Sequence, residues 1–200
     1  MRLLMVTLEP ARVSVALAAL QRAFADRPFL KGRDVVRTGR WHDKGGQEHR
    51  YEDPEAAEVG RFFAGAPWKR FSGAALLGWR MAAVALRHLT PEALAYYLPA
   101  YLTALLTEPL DPVSSAVLES TVAVLTAPES ASAPPPGGRS DAQWLAMEQE
   151  RAGEFQAFAS ALDEAQRAAV KAFLEAVDPV FEEPGMENPV RTALERYWAR

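Results

Sequence analysis

Apolar residues recur along most of this chain at intervals of three and four, the spacing of one face of an α-helix. Four of these stretches open on the same signal: Asp53-Pro54, Thr90-Pro91, Asp111-Pro112 and Asn188-Pro189 each set a side-chain oxygen before a proline. That oxygen can accept from an otherwise unpaired N–H in the first helical turn. Proline at the first helical position gives up nothing, because its missing N–H has no partner there. The pattern predicts a helix from about Glu9 to Phe24, with Val13, Leu17, Leu20 and Phe24 on one face. It predicts a second from Pro54 to near Gly65, carrying Val59, Phe62 and Phe63, and a third from about Ser72 to His88 with Leu77, Met81, Val84 and His88 in one stripe. A fourth runs from Pro91 to Leu106, and Pro99 inside it predicts a kink or a restart. A fifth starts at Pro112 and carries Val113, Val117, Leu118, Val122 and Leu125.

Residues 126–140, TAPESASAPPPGGRS, have the composition of a flexible loop: prolines, glycines and small residues that bury little apolar area. Beyond it, Ser140 with Gln143 and Asp163 with Gln166 have the spacing of capping boxes. They predict helices through about Ala161 and over Ala169, Val170, Phe173 and Leu174, before a last helix from Pro189 to the C-terminus. Residues 31–51 break the periodicity. Val35-Val36-Arg37-Thr38-Gly39-Arg40-Trp41-His42 and Gln47-Glu48-His49-Arg50-Tyr51 flank Asp43-Lys44-Gly45-Gly46, which predicts a β-hairpin or an ordered loop. The fold class expected is all-α: one helical domain over residues 1–200, a bundle of about seven or eight helices with this small hairpin appended.

Composition narrows the functions available. Two hundred residues and 21.9 kDa, about half of them apolar, are enough for a core without disulfides or metals. The absence of cysteine excludes thiol nucleophiles, disulfide scaffolds and cysteine zinc sites. The net charge of −4 does not favour generic nucleic-acid or anionic-membrane binding. Charge is nonetheless segregated: residues 31–50 carry +3, so −4 less +3 leaves −7 elsewhere. The apolar run Leu3–Leu8 is too short for a secretory signal and no stretch approaches a membrane span, so the expected compartment is the cytoplasm.

Candidate chemistry is sparse. The three histidines, His42, His49 and His88, form no HExxH or similar spacing. His42-Asp43 and Glu48-His49 converge only if the hairpin pairs, and no metal or other cofactor is expected. His88 has the position of a residue capping a helix C-terminus. There is no GxSxG elbow and no phosphate-binding glycine loop. Arg40 and Trp41 stand out in the hairpin; Glu55 and Glu58 lie three apart on one helix, a solvated surface or an acidic face for a basic partner. The most distinctive group is Tyr96, Tyr97 and Tyr101 around Pro99. Tyr97 and Tyr101 share a helix face, and each hydroxyl wants a partner if buried.

The stretch Phe62-Phe63-Ala64-Gly65-Ala66-Pro67-Trp68, followed by Leu89-Thr90-Pro91-Glu92-Ala93-Leu94-Ala95-Tyr96-Tyr97-Leu98-Pro99-Ala100-Tyr101-Leu102, resembles an uncharacterised bacterial helical domain family with an LTPEA…YYLPAYL core. The resemblance extends over about residues 52–176, including a helix like Leu162–Leu174. It implies a helical domain, and since the family has no assigned activity it carries over no functional residue. Two functions fit the sequence. The first is a non-enzymatic protein-binding protein of immunity or antitoxin type, covering a toxin's active site with an acidic, aromatic-bearing face; its partner is a protein, with no membrane and no nucleic acid involved. The alternative is a small-ligand binder or enzyme with its site near the Tyr96/Tyr97/Tyr101 kink and Trp79.

Overall fold

Every residue from Ala93 to Leu102 is buried, and a helix that is apolar all round can be stable only at the centre of a bundle. The computed structural model describes residues 8–28, 30, 34–42, 47–51, 53–129 and 141–199, with the side chains of 40–42, 48 and 141–143 left aside. Its central helix is α5, Pro91–Thr107, against which α1 (Pro10–Ala23), α3 (Gly73–Leu77), α6 (Pro112–Leu125), α7 (Asp141–Ser160) and α8 (Glu164–Val177) all pack. The helices α2 (Pro54–Phe63) and α4 (Ala82–His88) pair beside it, α4 also lying on α6, and α9 (Pro189–Ala193) closes the C-terminal end over α6 and α8. The fold is an all-α bundle, nine α-helices among the described residues.

The cap–proline pairs set the helix starts. Asp53 accepts from the N–H groups of Glu55 and Ala56, Thr90 from Ala93, and Asn188 from Val190 and Arg191. Asp111 and Ser114 form a reciprocal capping box, as do Asp163 and Gln166. The box expected at Ser140 and Gln143 lies outside the described residues, as does the loop from Ser130 to Ser140.

Three expectations need correction. The helix from Ser72 to His88 is two helices, α3 and α4, separated at Gly78–Met81. The Gly78 N–H already turns back to Ala74 and Leu76, and a Cβ there would meet the Ala74 carbonyl at 2.9 Å. Beyond it Trp79 rotates out to stack on Phe62 at 3.8 Å. Second, of the kink or restart expected at Pro99 there is no restart: α5 runs through it as one continuous helix, with Pro99 buried. Third, the C-terminal helix is α only over Pro189–Ala193 and then widens into a π-turn over Leu194–Trp198, which lets the Trp198 indole N–H donate to the Leu125 carbonyl at 2.6 Å.

Residues 39–51 do form the hairpin: β1 (Gly39–His42) and β2 (Glu48–Tyr51) pair antiparallel, with Gly39 opposite Tyr51, Arg40 opposite Arg50, Trp41 opposite His49 and His42 opposite Glu48. The Tyr51 ring lies across Gly39; a Cβ there would sit 2.6 Å from Cζ, so any larger residue would displace that half-exposed ring. Ahead of β1, Val36 forms a single antiparallel bridge to Leu89, with the Arg37 N–H donating to the His88 carbonyl at 2.7 Å and the Thr90 N–H to the Val35 carbonyl at 3.0 Å. That bridge fastens the root of the hairpin to the α4–α5 junction, while beyond the root the two strands pair chiefly with each other.

Candidate functional site

The tyrosines do not converge on a ligand site. Tyr96, Tyr97 and Tyr101 are 2%, 0% and 0% exposed. The Tyr97 hydroxyl donates to the carbonyls of Phe63 at 3.0 Å and Ala66 at 3.1 Å, binding the end of α2 and its following turn, where Gly65 takes φ +67°, onto α5. Its ring lies 4.4 Å from that of Phe63 and 4.9 Å from that of Tyr96. Burial, with Tyr96 beside it, pushes the Tyr97 hydroxyl up to about 12. Burial raises Tyr96 too, opposed by the Trp68 backbone N–H and the Arg27 guanidinium. Burial also raises Tyr101, whose hydroxyl has no hydrogen-bond partner. The three rings fill the core, and the clefts described below are lined by other residues.

One group of polar side chains assembles where the hairpin root meets α2, α4 and α7. His88, the last residue of α4, does not turn back to cap its own helix. Its Nδ1 lies 3.6 Å from Asp53 and its Nε2 3.4 Å from Glu55, so it bridges two carboxylates of the first turn of α2. Arg37 donates Nε–H to the Leu89 carbonyl at 2.8 Å and pairs with Glu154 of α7. Thr90 donates its hydroxyl to the Asp34 carbonyl at 3.1 Å. Asp34, Arg37, Asp53, His88, Thr90 and Glu154 line an open cleft of about 590 Å³ together with Arg87, Glu150 and Arg151. A second cleft, of about 470 Å³, lies between the same extended segment Asp34–Gly39 and the residues Tyr51, Asp53 and Ala56.

His88 thus sits between two carboxylates and ties the end of α4 to the start of α2. Among the described residues no group of three or more His, Asp or Glu converges on a common point that would hold a metal ion.

The sequence-predicted residues therefore separate. Glu55 reaches His88 and Glu58 pairs with Arg80, both on the surface side of α2, whereas Phe63 on its buried side meets Tyr97. Trp79 stacks on Phe62 and lies 6.0 Å from the Phe63 ring, which in turn meets Tyr97 at 4.4 Å. Arg40 and Trp41 are on β1, and their side chains lie outside the described residues. Tyr96, Tyr97 and Tyr101 are core and do not supply the aromatic side chains of the expected acidic, aromatic-bearing face. The pairings of His88 with Asp53 and Glu55 and of Arg37 with Glu154 join residues distant in sequence, so local spacing does not reveal them; the one signal is that His88 ends a helix just before a cap–proline start.

No helix among the described residues is long and apolar enough to cross a membrane. No curated protein and no solved structure matches the chain. The model of a family of unknown function, DUF6714, matches residues 13–200, and the chain belongs to that family.

Proposed function

We propose that this member of the DUF6714 family acts without catalysis, by binding another protein, and that it is an immunity or antitoxin-type protein that neutralises a toxin by covering its active site. The observation that carries this reading is the hairpin. A two-stranded ribbon is marginally stable alone, yet β1 and β2 leave the bundle at the Val36–Leu89 bridge as a two-stranded sheet with no third strand added among the described residues. The edges of such a ribbon can be extended by another chain, and a helical body with a filled core presents such an arm with little ordering cost on binding. The surrounding polar groups, His88 with Asp53 and Glu55 and Arg37 with Glu154, brace the root of the arm. An interface of standard size buries ~1,600 Å² in total, more than the hairpin supplies, so the partner also reaches the bundle beside it. We place this action in the bacterial cytoplasm.

The test is co-expression with toxin-like products encoded beside the gene, read as rescue of growth and as a purified complex. The wild-type chain is expected to rescue one of them. A variant with Arg40–Arg50 replaced by Asn-Gly is expected not to. Rescue of no candidate, or rescue by both chains alike, defeats the proposal.

A further inference from the structure

Between Glu58 and Glu92 the chain has no acidic residue, and it has five cations: Arg61, Lys69, Arg70, Arg80 and Arg87. The net −4 of the whole less this +5 leaves −9 on the remaining residues. Four of the five sit next in sequence to an aromatic residue, as Arg61-Phe62, Trp68-Lys69, Arg70-Phe71 and Trp79-Arg80. The fold brings the rings of Phe62, Phe71 and Trp79 together. Phe62 lies 3.8 Å from Trp79, nearly parallel at 3°, and 5.2 Å from Phe71 at 30°. All three rings are partly exposed at the edge of the core, and all three arginines are exposed. Arg61 and Arg70 have no ion-pair or hydrogen-bond partner among the described residues, while Arg80 pairs with Glu58. Lys69 is otherwise engaged, donating to the Ala25 carbonyl at 2.6 Å.

We infer that this face of Arg61, Phe62, Arg70, Phe71, Trp79 and Arg80 is the part of the bundle that the partner covers, and that the partner's surface there is acidic. The inference rests on the protein-binding reading and names the chemistry of the partner. Tryptophan and arginine are the residue types that most often dominate protein interfaces, an apolar centre within a charged rim being the usual plan. Here the centre is a rigid ring stack, and the rim is cationic with two members unneutralised. Carboxylates match arginine forks in pairs. A single-stranded nucleic acid fits less well, because such strands need free ring faces on which to stack bases. The broad faces of Phe62 are occupied by Trp79 and Phe71.

The experiment is an amide-resolved NMR titration of the full chain with three separate probes at low salt: poly-L-glutamate, oligothymidylate and phosphatidylserine vesicles. Poly-L-glutamate is expected to shift the amides of residues 61–62, 70–71 and 79–80 and the Trp79 indole, weakening as salt rises. The double variant Arg61→Glu/Arg70→Glu removes only exposed, unpartnered side chains, so it is expected to keep its circular dichroism and lose at least about tenfold in affinity. Trp79→Ala is expected to lose about 30-fold, with the double variant deciding the matter if it unfolds. Shifts confined to the hairpin overturn this face as the dock and leave the protein-binding reading standing. Tighter binding of oligothymidylate or vesicles at these residues overturns both. No shift with any probe, or undiminished binding by the double variant, overturns the inference alone.

Discussion

Tyr97 and Tyr101 sit one helical turn apart on the same buried face, and their hydroxyls meet opposite fates. Tyr97 donates to two carbonyls across the α2–α5 contact, whereas Tyr101 is equally buried and its hydroxyl is unpaired. Losing a partner strands buried polar groups at a cost of about 1–3 kcal/mol, while deleting an already stranded hydroxyl removes such a cost. Tyr97→Phe is therefore expected to destabilise the fold by about 1–2 kcal/mol, and Tyr101→Phe to leave stability unchanged or raise it by up to about 1 kcal/mol. Urea unfolding of the two variants side by side checks the order, and a larger loss for Tyr101→Phe would refute it. From the sequence the two tyrosines are indistinguishable. What separates them is the turn at Gly65, which swings the carbonyls of Phe63 and Ala66 toward Tyr97 alone.

At the level of whole helices the local chemistry was legible wherever a start is written in adjacent residues. Asp53-Pro54, Thr90-Pro91, Asp111-Pro112 and Asn188-Pro189 all open helices where the pairs stand, because a cap and a proline act within one turn of chain. The break between α3 and α4 was not legible, since Leu77, Met81 and Val84 keep helical spacing straight across it; the stack of Trp79 on Phe62 that pulls the chain out is a tertiary contact. The capping box of α6 carries a pH signature. Hydrogen bonds from Ser114, backbone and side chain, and from the Val113 N–H hold the Asp111 carboxyl below its ordinary 3.8. A carboxyl lowered in the folded state stabilises it above the unfolded value, and that contribution is lost as pH falls through the folded one. An NMR titration of the Asp111 carboxyl is expected to show a midpoint below 3.8, and amide exchange in the first turn of α6 is expected to accelerate as the pH passes through it. A midpoint at or above 3.8 contradicts the cap as the cause.

For the molecule as a whole, the separation of a closed core from a decorated surface decides which changes alter stability and which alter binding. The surface grouping was the part least open to sequence reading: Arg61-Phe62, Arg70-Phe71 and Trp79-Arg80 are scattered over twenty positions of the chain and become one face only when α2, the 68–71 turn and the α3–α4 break come together. The hairpin was legible as a hairpin, from its glycine pair between two extended runs, but its independence from the core was not. That independence has a measurable consequence. Gly39 and Tyr51 face each other across the ribbon, and a two-residue Asn-Gly turn closes such a pair with the twist that the strands require. Replacing Arg40–Arg50 by Asn-Gly therefore removes the arm while keeping the Tyr51 ring on Gly39 and the Val36–Leu89 bridge. Among the described residues, no side chain assigned to the hydrophobic core is lost. Surface changes away from core packing, caps and buried polar networks stay within roughly ±0.5 kcal/mol, so this variant is expected to melt within a few degrees of the wild type with its helical circular dichroism intact. A drop in Tm of ten degrees or more would mean that the ribbon belongs to the folding unit, and loss of toxin rescue by the same variant would then report on unfolding instead of on a missing contact.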